Sequence, residues 1–186
     1  MERLVLFLIS AILFGCSHLK PSVVYNRAKV EVKNSGGVCY VDGQTFSGSL
    51  IEYTPLGDTL SWESYINGKE HGAWKKFYVD GKKSENRYFV DGKKEGEFLA
   101  WWPDGFLKFQ YHFKNGEYNG ALKEWDEYGN LLKESTYKAG YEEGLQKAWY
   151  PNGKIRSNYV MIKGRRYGLL GTKNCVNVSD SIFTAR

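Results

Sequence analysis

The sequence predicts an all-β fold, a single-layer solenoid of stacked antiparallel β-hairpins. Three observations predict it. Glycine recurs every 24 residues in three registers: Gly68, Gly92, Gly116, Gly140 and Gly164; Gly72, Gly96, Gly120, Gly144 and Gly168; Gly57, Gly81, Gly105, Gly129 and Gly153. Three registers in phase mark one supersecondary unit repeated along the chain. The composition agrees: aromatics make up 16%, with 14 Tyr, 21 Gly and only 4 Pro, which favours strands and tight turns over helices. Finally, an aromatic recurs in each of two strand-length stretches between the glycines.

The first element is of a different material. Leu4 to Phe14 is an apolar run, the length of a signal-peptide core and short of the ~20 residues of a membrane span. It ends in Leu13-Phe14-Gly15-Cys16. This stretch resembles a bacterial lipobox, in which cleavage before Cys16 leaves that cysteine to carry acyl chains. Phe14 departs from the small or aliphatic residue usual there. An ordinary signal peptide and a buried hydrophobic strand remain the other readings. Residues 1–15 are therefore expected as signal peptide and 16–37 as a lipid-anchored tether, with one short alternating stretch, Lys29 to Lys33. Acyl chains would anchor by burying CH₂ groups at ~0.8 kcal/mol each.

The repeat array is expected over 38–170. Asp80-Gly81, and the equivalent Pro103-Asp104-Gly105, Tyr128-Gly129-Asn130 and Pro151-Asn152-Gly153, read as two-residue hairpin turns. Asn67-Gly68, Asp91-Gly92, Asn115-Gly116 and Ala139-Gly140 read as longer connections between units, closed by the second glycine of each pair where a side chain would meet neighbouring backbone. Two aromatic ladders are expected on one face. One is Tyr53, Phe77, Trp101, Trp125 and Trp149; the other is Tyr65, Phe89, Phe113, Tyr137 and Met161. Trp62, Trp74, Tyr78, Trp102, Tyr111 and Tyr150 fall outside these ladders and are candidates for an exposed recognition surface. Residues 171–186 break the repeat as a C-terminal tail, in which Cys175 to Val178 could form one closing strand.

The run Tyr65-Ile66-Asn67-Gly68-Lys69 through Gly72-Ala73-Trp74 to Phe77-Tyr78-Val79-Asp80-Gly81-Lys82 resembles the bacterial variant of the MORN repeat. The likeness spans residues 41 to 170, with a degenerate first unit between Gly43 and Gly48 and a partial last one at Arg165-Arg166-Tyr167-Gly168. It implies the glycines above, with Trp101, Trp125 and Trp149, as repeat-structural residues. It also implies a scaffold or protein-binding role. Some related repeats stand as presumed antitoxin partners, and that is the alternative reading.

Catalytic chemistry has little to build on. His18, His71 and His112 fall in unrelated registers, and no nucleophile elbow or phosphate loop is present. No catalytic residue, metal or cofactor is expected. The net charge of +5 is interleaved with acids, so no nucleic-acid partner is expected. Cys39 and Cys175 bracket the array. Stacked hairpins would separate them by ~50 Å, against a disulfide limit of ~7 Å. Free thiols, pairing with another chain and folded-back flanks stay open. Lys82, Lys83, Lys93, Lys94, Arg165 and Arg166 are candidates for anionic headgroups, and Trp74, Trp102, Arg165 and Arg166 for a protein partner. The expectation is a non-enzymatic envelope lipoprotein anchored through Cys16, on the outer membrane if the cell has two, with an unknown protein partner.

Overall fold

In the computed structural model, the structure describes residues 23–169. Cys16, the apolar leader and the tail from 171 lie outside the described residues.

Strands make up 66% of the described residues. They begin with β1 (Val24–Asn26), a 3-10 turn (Arg27–Lys29), β2 (Val32–Ser35), β3 (Val38–Val41) and β4 (Gln44–Thr45). The array follows as β5 (Gly48–Tyr53), β6 (Thr59–Ile66), β7 (Lys69–Glu70), β8 (Gly72–Phe77), β9 (Lys83–Val90), β10 (Lys93–Lys94) and β11 (Gly96–Trp101). It continues as β12 (Leu107–Lys114), β13 (Glu117–Tyr118), β14 (Gly120–Trp125), β15 (Leu131–Lys138), β16 (Tyr141–Trp149), β17 (Ile155–Ile162) and β18 (Arg165–Leu169). These build one 15-stranded sheet in chain order from β5 to β18, with β1 parallel to β5 at the edge. The remaining strands, β2, β3 and β4, form a separate sheet. The all-β stack of hairpins is as the sequence predicts.

The turns are exchanged relative to expectation. Asn67, Asp91, Asn115, Ala139 and Lys163 all have positive φ, as do the glycines that follow them. Ile66 pairs with Lys69 directly across Asn67-Gly68. Positive φ at both central residues is the two-residue hairpin turn. At the other end of each hairpin, Gly81 N–H donates to Tyr78 O at 2.9 Å and Tyr78 N–H to Lys82 O at 2.8 Å. Only Gly81 there has positive φ. That is a three-residue loop, a type I turn followed by a left-handed glycine. Pro103 and Pro151 are the first of the three loop residues, where their fixed negative φ suits type I, and their missing N–H could not serve the closing pair of a two-residue turn on the Asp-Gly or Asn-Gly that follows.

The second glycine register is a bulge. Ser64 O accepts from His71 N–H at 2.9 Å, and the register between β6 and the returning chain shifts by two residues across His71 and Gly72. Gly72, Gly96 and Gly144 have positive φ, yet a Cβ there would meet nothing closer than 3.7 Å. These positions need the left-handed conformation, not the space. Gly168 meets the expectation of crowding: its Cβ would lie 2.8 Å from Asn158 O.

Units are tied across their turns. Gly68, Gly92, Gly116 and Gly140 each donate N–H to a carbonyl of the previous unit, those of Phe46, Glu70, Lys94 and Tyr118, at 2.6 to 2.9 Å. The preceding amide in each turn finds a side chain, Ser47, His71, Glu95 or Asn119. Four chemistries thus serve one position, because any acceptor satisfies an exposed turn N–H.

Residues 24–35, expected as part of a spacer, are folded instead. The small sheet lies on one face of the first units, where Cys39, Val41, Phe46, Leu50 and Tyr65 form a core joined by Val30, Val32 and Trp74. Cys39 is a free thiol, 1% exposed. Burial pushes its pKa up, which keeps it protonated and inert.

Candidate interaction surface

Alternation along each strand sorts side chains onto two faces. One face carries Leu50, Tyr65, Phe89, Ala100, Phe113, Leu122, Gln146 and Ala148, all buried. We call this the inner face. The Tyr65, Phe89, Phe113, Tyr137 and Met161 positions run along it, each opposite a bulge glycine: Gly48, Gly72, Gly96, Gly120 and Gly144 respectively. A ring beside a residue without a side chain packs over open backbone.

Rings contributed by the other strand of each hairpin complete this seam. Phe46 meets Tyr65, Tyr65 meets Trp74 and Trp74 meets Phe89, at centroid distances of 5.9, 5.3 and 5.0 Å. Farther on, Phe98, Phe113, Tyr118 and Tyr137 continue it, with Phe109 and Tyr111 stacked at 4.4 Å beside them. Edge-to-face and offset rings add to burial. Trp74 is therefore a half-buried member of the seam, not a fully exposed ring. Its indole N–H donates to Ser64 O at 2.9 Å.

The other expected ladder is absent. Tyr53, Phe77, Trp101, Trp125 and Trp149 each sit where the register shifts at the hairpin's closing loop. No ring contact joins them among the described residues. A bulge re-aims the side chains beside it, which breaks the alignment that a ladder requires. Their backbone is used instead. The Tyr78 hydroxyl donates to Trp101 O at 2.7 Å, and Trp102 Nε1–H to Trp125 O at 3.2 Å. Tyr78 and Trp102 are thus staples between units. At the same position Asp126 turns back on its own loop, accepting from the Tyr128 and Asn130 amides at 3.0 and 2.8 Å. The Asn130 hydrogen bond leads the causes that hold its carboxyl below the ordinary value.

The six candidate cations do not form one patch. Lys82 lies at the loop edge, 3.0 Å from Asp80 Oδ2, with Lys83 beside it. Lys93 and Arg165 open the strands after two-residue turns. Lys94 and Arg166 reach the inner face: Lys94 stands over Phe98 and Phe113, and Arg166 over Tyr159 and near Glu142. Of the remaining aromatics, Trp62 is exposed on the outer face with its Nε1–H on Ser64 Oγ, and the Tyr111 hydroxyl donates to Glu124. Tyr150 is exposed.

Residues the sequence reading passed over include Arg27, Glu63 and Glu70. Arg27 Nη1 donates to Glu63 Oε2 at 2.7 Å, and the Tyr65 hydroxyl to the same oxygen at 3.0 Å. Burial, then Glu63, pushes the Tyr65 hydroxyl far up. The signal that would have found Glu70 is its place in a 24-residue series with Lys94, Tyr118, Glu142 and Arg166. Each of these pairs with a seam residue across the two-residue turn. Among the described residues no three of His, Cys, Asp and Glu gather in a metal-holding group.

Comparison with known families gives a match to the MORN repeat variant over residues 94–115, 118–139 and 142–159. No curated protein matches the chain. The matched stretches are consecutive hairpins of the sheet, and β5 to β9 repeat the same turns and bulges ahead of them. Repeats of this kind are associated with protein or membrane interaction, and this chain carries MORN-variant repeats over residues 94–159.

Proposed function

We propose that the chain is a non-enzymatic, lipid-anchored envelope protein whose array is an interaction scaffold held close to the membrane. The observation that carries the reading is the inner face. A continuous line of rings and charged side chains crosses most strands of the sheet, and the small sheet covers only its first units. Side chains elsewhere are spent on stacking: acceptors for turn amides, staples between loops, carboxylates capping their own turns. The anchor rests on Leu13-Phe14-Gly15-Cys16, and the partner is a protein. The reading involves no cofactor and no nucleic acid.

Fractionation of cells expressing the wild type beside Cys16→Ala, with acyl-chain labelling, tests it. A labelled, membrane-bound wild type and an unlabelled variant that is no longer anchored are the expected results. A full-length, unlabelled, cytosolic wild type would discard the anchor and bring forward an immunity-type protein that neutralises a cognate toxin.

A further inference from the structure

The repeat allows one unit to be compared with the next, side chain by side chain. Phe98 is flanked by two cations: the Arg87 guanidinium lies 4.9 Å from its centroid and Lys94 Nζ 5.4 Å. Lys94 also stands 4.9 Å over Phe113. These contacts suit the chemistry, because a ring face carries partial negative charge. One period of 24 residues earlier, Phe98 becomes Trp74, Phe113 becomes Phe89, Arg87 becomes Glu63 and Lys94 becomes Glu70. Equivalent rings are kept while both cations are replaced by carboxylates. A carboxylate beside a ring face has no such attraction to gain.

The fold answers only one of the two. The small sheet's approach brings in Arg27, whose guanidinium takes Glu63. Glu70 makes no ion pair within 4.0 Å among the described residues. Burial pushes its carboxyl above the ordinary value, offset only in part by the more distant Arg87 and Lys94. Beside it a depression of about 450 Å³ opens between Arg27, Asn34 and Cys39 ahead of the array and Glu63, Tyr65, Glu70 and Trp74 of the array. An anion has no free partner there, because Arg27 is already engaged. An uncharged apolar group would leave Glu70 unanswered.

We infer that this depression receives a lysine or arginine side chain of a protein partner, with Glu70 as its counter-ion and Trp74 as its aromatic wall. The inserted cation takes the place that Lys94 fills in the next unit, and Arg27 on Glu63 shows that the same depression accommodates a guanidinium beside a carboxylate. The inference deepens the scaffold reading by naming what one part of the inner face recognises.

The test uses the full chain and a capped amino acid, so its outcome does not depend on finding the partner. Nα-acetyl-arginine methylamide is titrated while the Trp74 indole N–H resonance, identified by its loss in Trp74→Phe, is followed by NMR. A saturable shift of that resonance is expected, with none from the neutral isostere Nα-acetyl-citrulline methylamide. Glu70→Gln weakens binding at least about fivefold, and Glu70→Lys, which supplies the cation internally, abolishes it. Unmoved indole signals from the other tryptophans show that both variants keep the sheet. Equal binding of the citrulline probe, unchanged binding in Glu70→Gln, or no shift of the wild-type resonance would each overturn the site.

Discussion

Under the small sheet, Tyr65 is 3% exposed and packs with Cys39, Val41, Phe46 and Leu50. At the far end of the array Met161 holds the same position but is only half-buried. The neighbouring series, Trp74, Phe98, Leu122 and Gln146 at 24-residue steps, goes from ring to amide, yet Leu122 and Gln146 are buried while Trp74 and Phe98 are half-buried. The period fixes where a side chain sits, whereas depth depends on what covers it. One end of this solenoid is closed by its own chain, and at the other the described residues end with β18. Stability in a stacked array is a sum of unit and neighbour terms, so the two ends are expected to differ in strength.

The comparison breaks most sharply on the seam. Phe89→Ala should cost about 4 kcal/mol, and Met161→Ala about 1 to 2 kcal/mol, read from urea unfolding. Equal costs would mean that the ends are equally packed. Glycines sharpen the same contrast. At Gly68 a Cβ would lie 2.4 Å from Val38 Cγ1 and 3.0 Å from Cys39 O, with φ at +73°, while at Gly153 it would meet nothing, at φ +76°. Gly153→Ala should therefore cost only the left-handed strain, about 1 kcal/mol, and Gly68→Ala about 2 to 3 kcal/mol.

Midway along the array, Tyr78→Phe removes one hydrogen bond to Trp101 O and should cost about 1 kcal/mol, visible as a lower urea midpoint at unchanged slope. Glu70 gives a dependence on pH. Its carboxyl is raised by burial, so the native chain holds this proton to higher pH than the unfolded chain does. Its contribution is therefore most favourable below the unfolded pKa and is lost as pH rises through the folded one. Glu70→Gln should flatten that decline and raise the Tm at neutral pH; a lower Tm in the variant would contradict the sign. The smallest effect belongs to Ala139, which sits at φ +48° where the three preceding turns carry Asn67, Asp91 and Asn115. Ala139→Asn should gain about 0.5 kcal/mol.

Much of this was legible in the residues. Glycines in three phased registers dictate a repeated hairpin, because only a recurring backbone need keeps glycine at fixed intervals. The Tyr65, Phe89, Phe113 and Tyr137 seam was legible for the same reason. The turn types were misread although the signal was present. Both ends of the hairpin carry Asn-Gly or Asp-Gly pairs, and these alone do not choose. Pro103 and Pro151 do, since a two-residue turn on the pair that follows would put proline in the closing hydrogen-bonded pair, where it has no N–H to give.

The sequence by itself determined the period, the all-β class and which positions face one another. These follow from local backbone demands repeated along the chain. Tertiary structure alone decided the rest. It folded residues 24–35 over the first units, turned Tyr78 and Trp102 into staples for carbonyls freed by a bulge, and set Trp101, Trp125 and Trp149 out of ladder register. It also gave Glu63 a close ion pair and left Glu70 without one among the described residues, with Arg87 and Lys94 acting on it only from farther off. The reason is distance along the chain. Arg27 and Glu63 are 36 residues apart, a separation that no 24-residue period encodes, and only the closing of the small sheet onto the array brings them together.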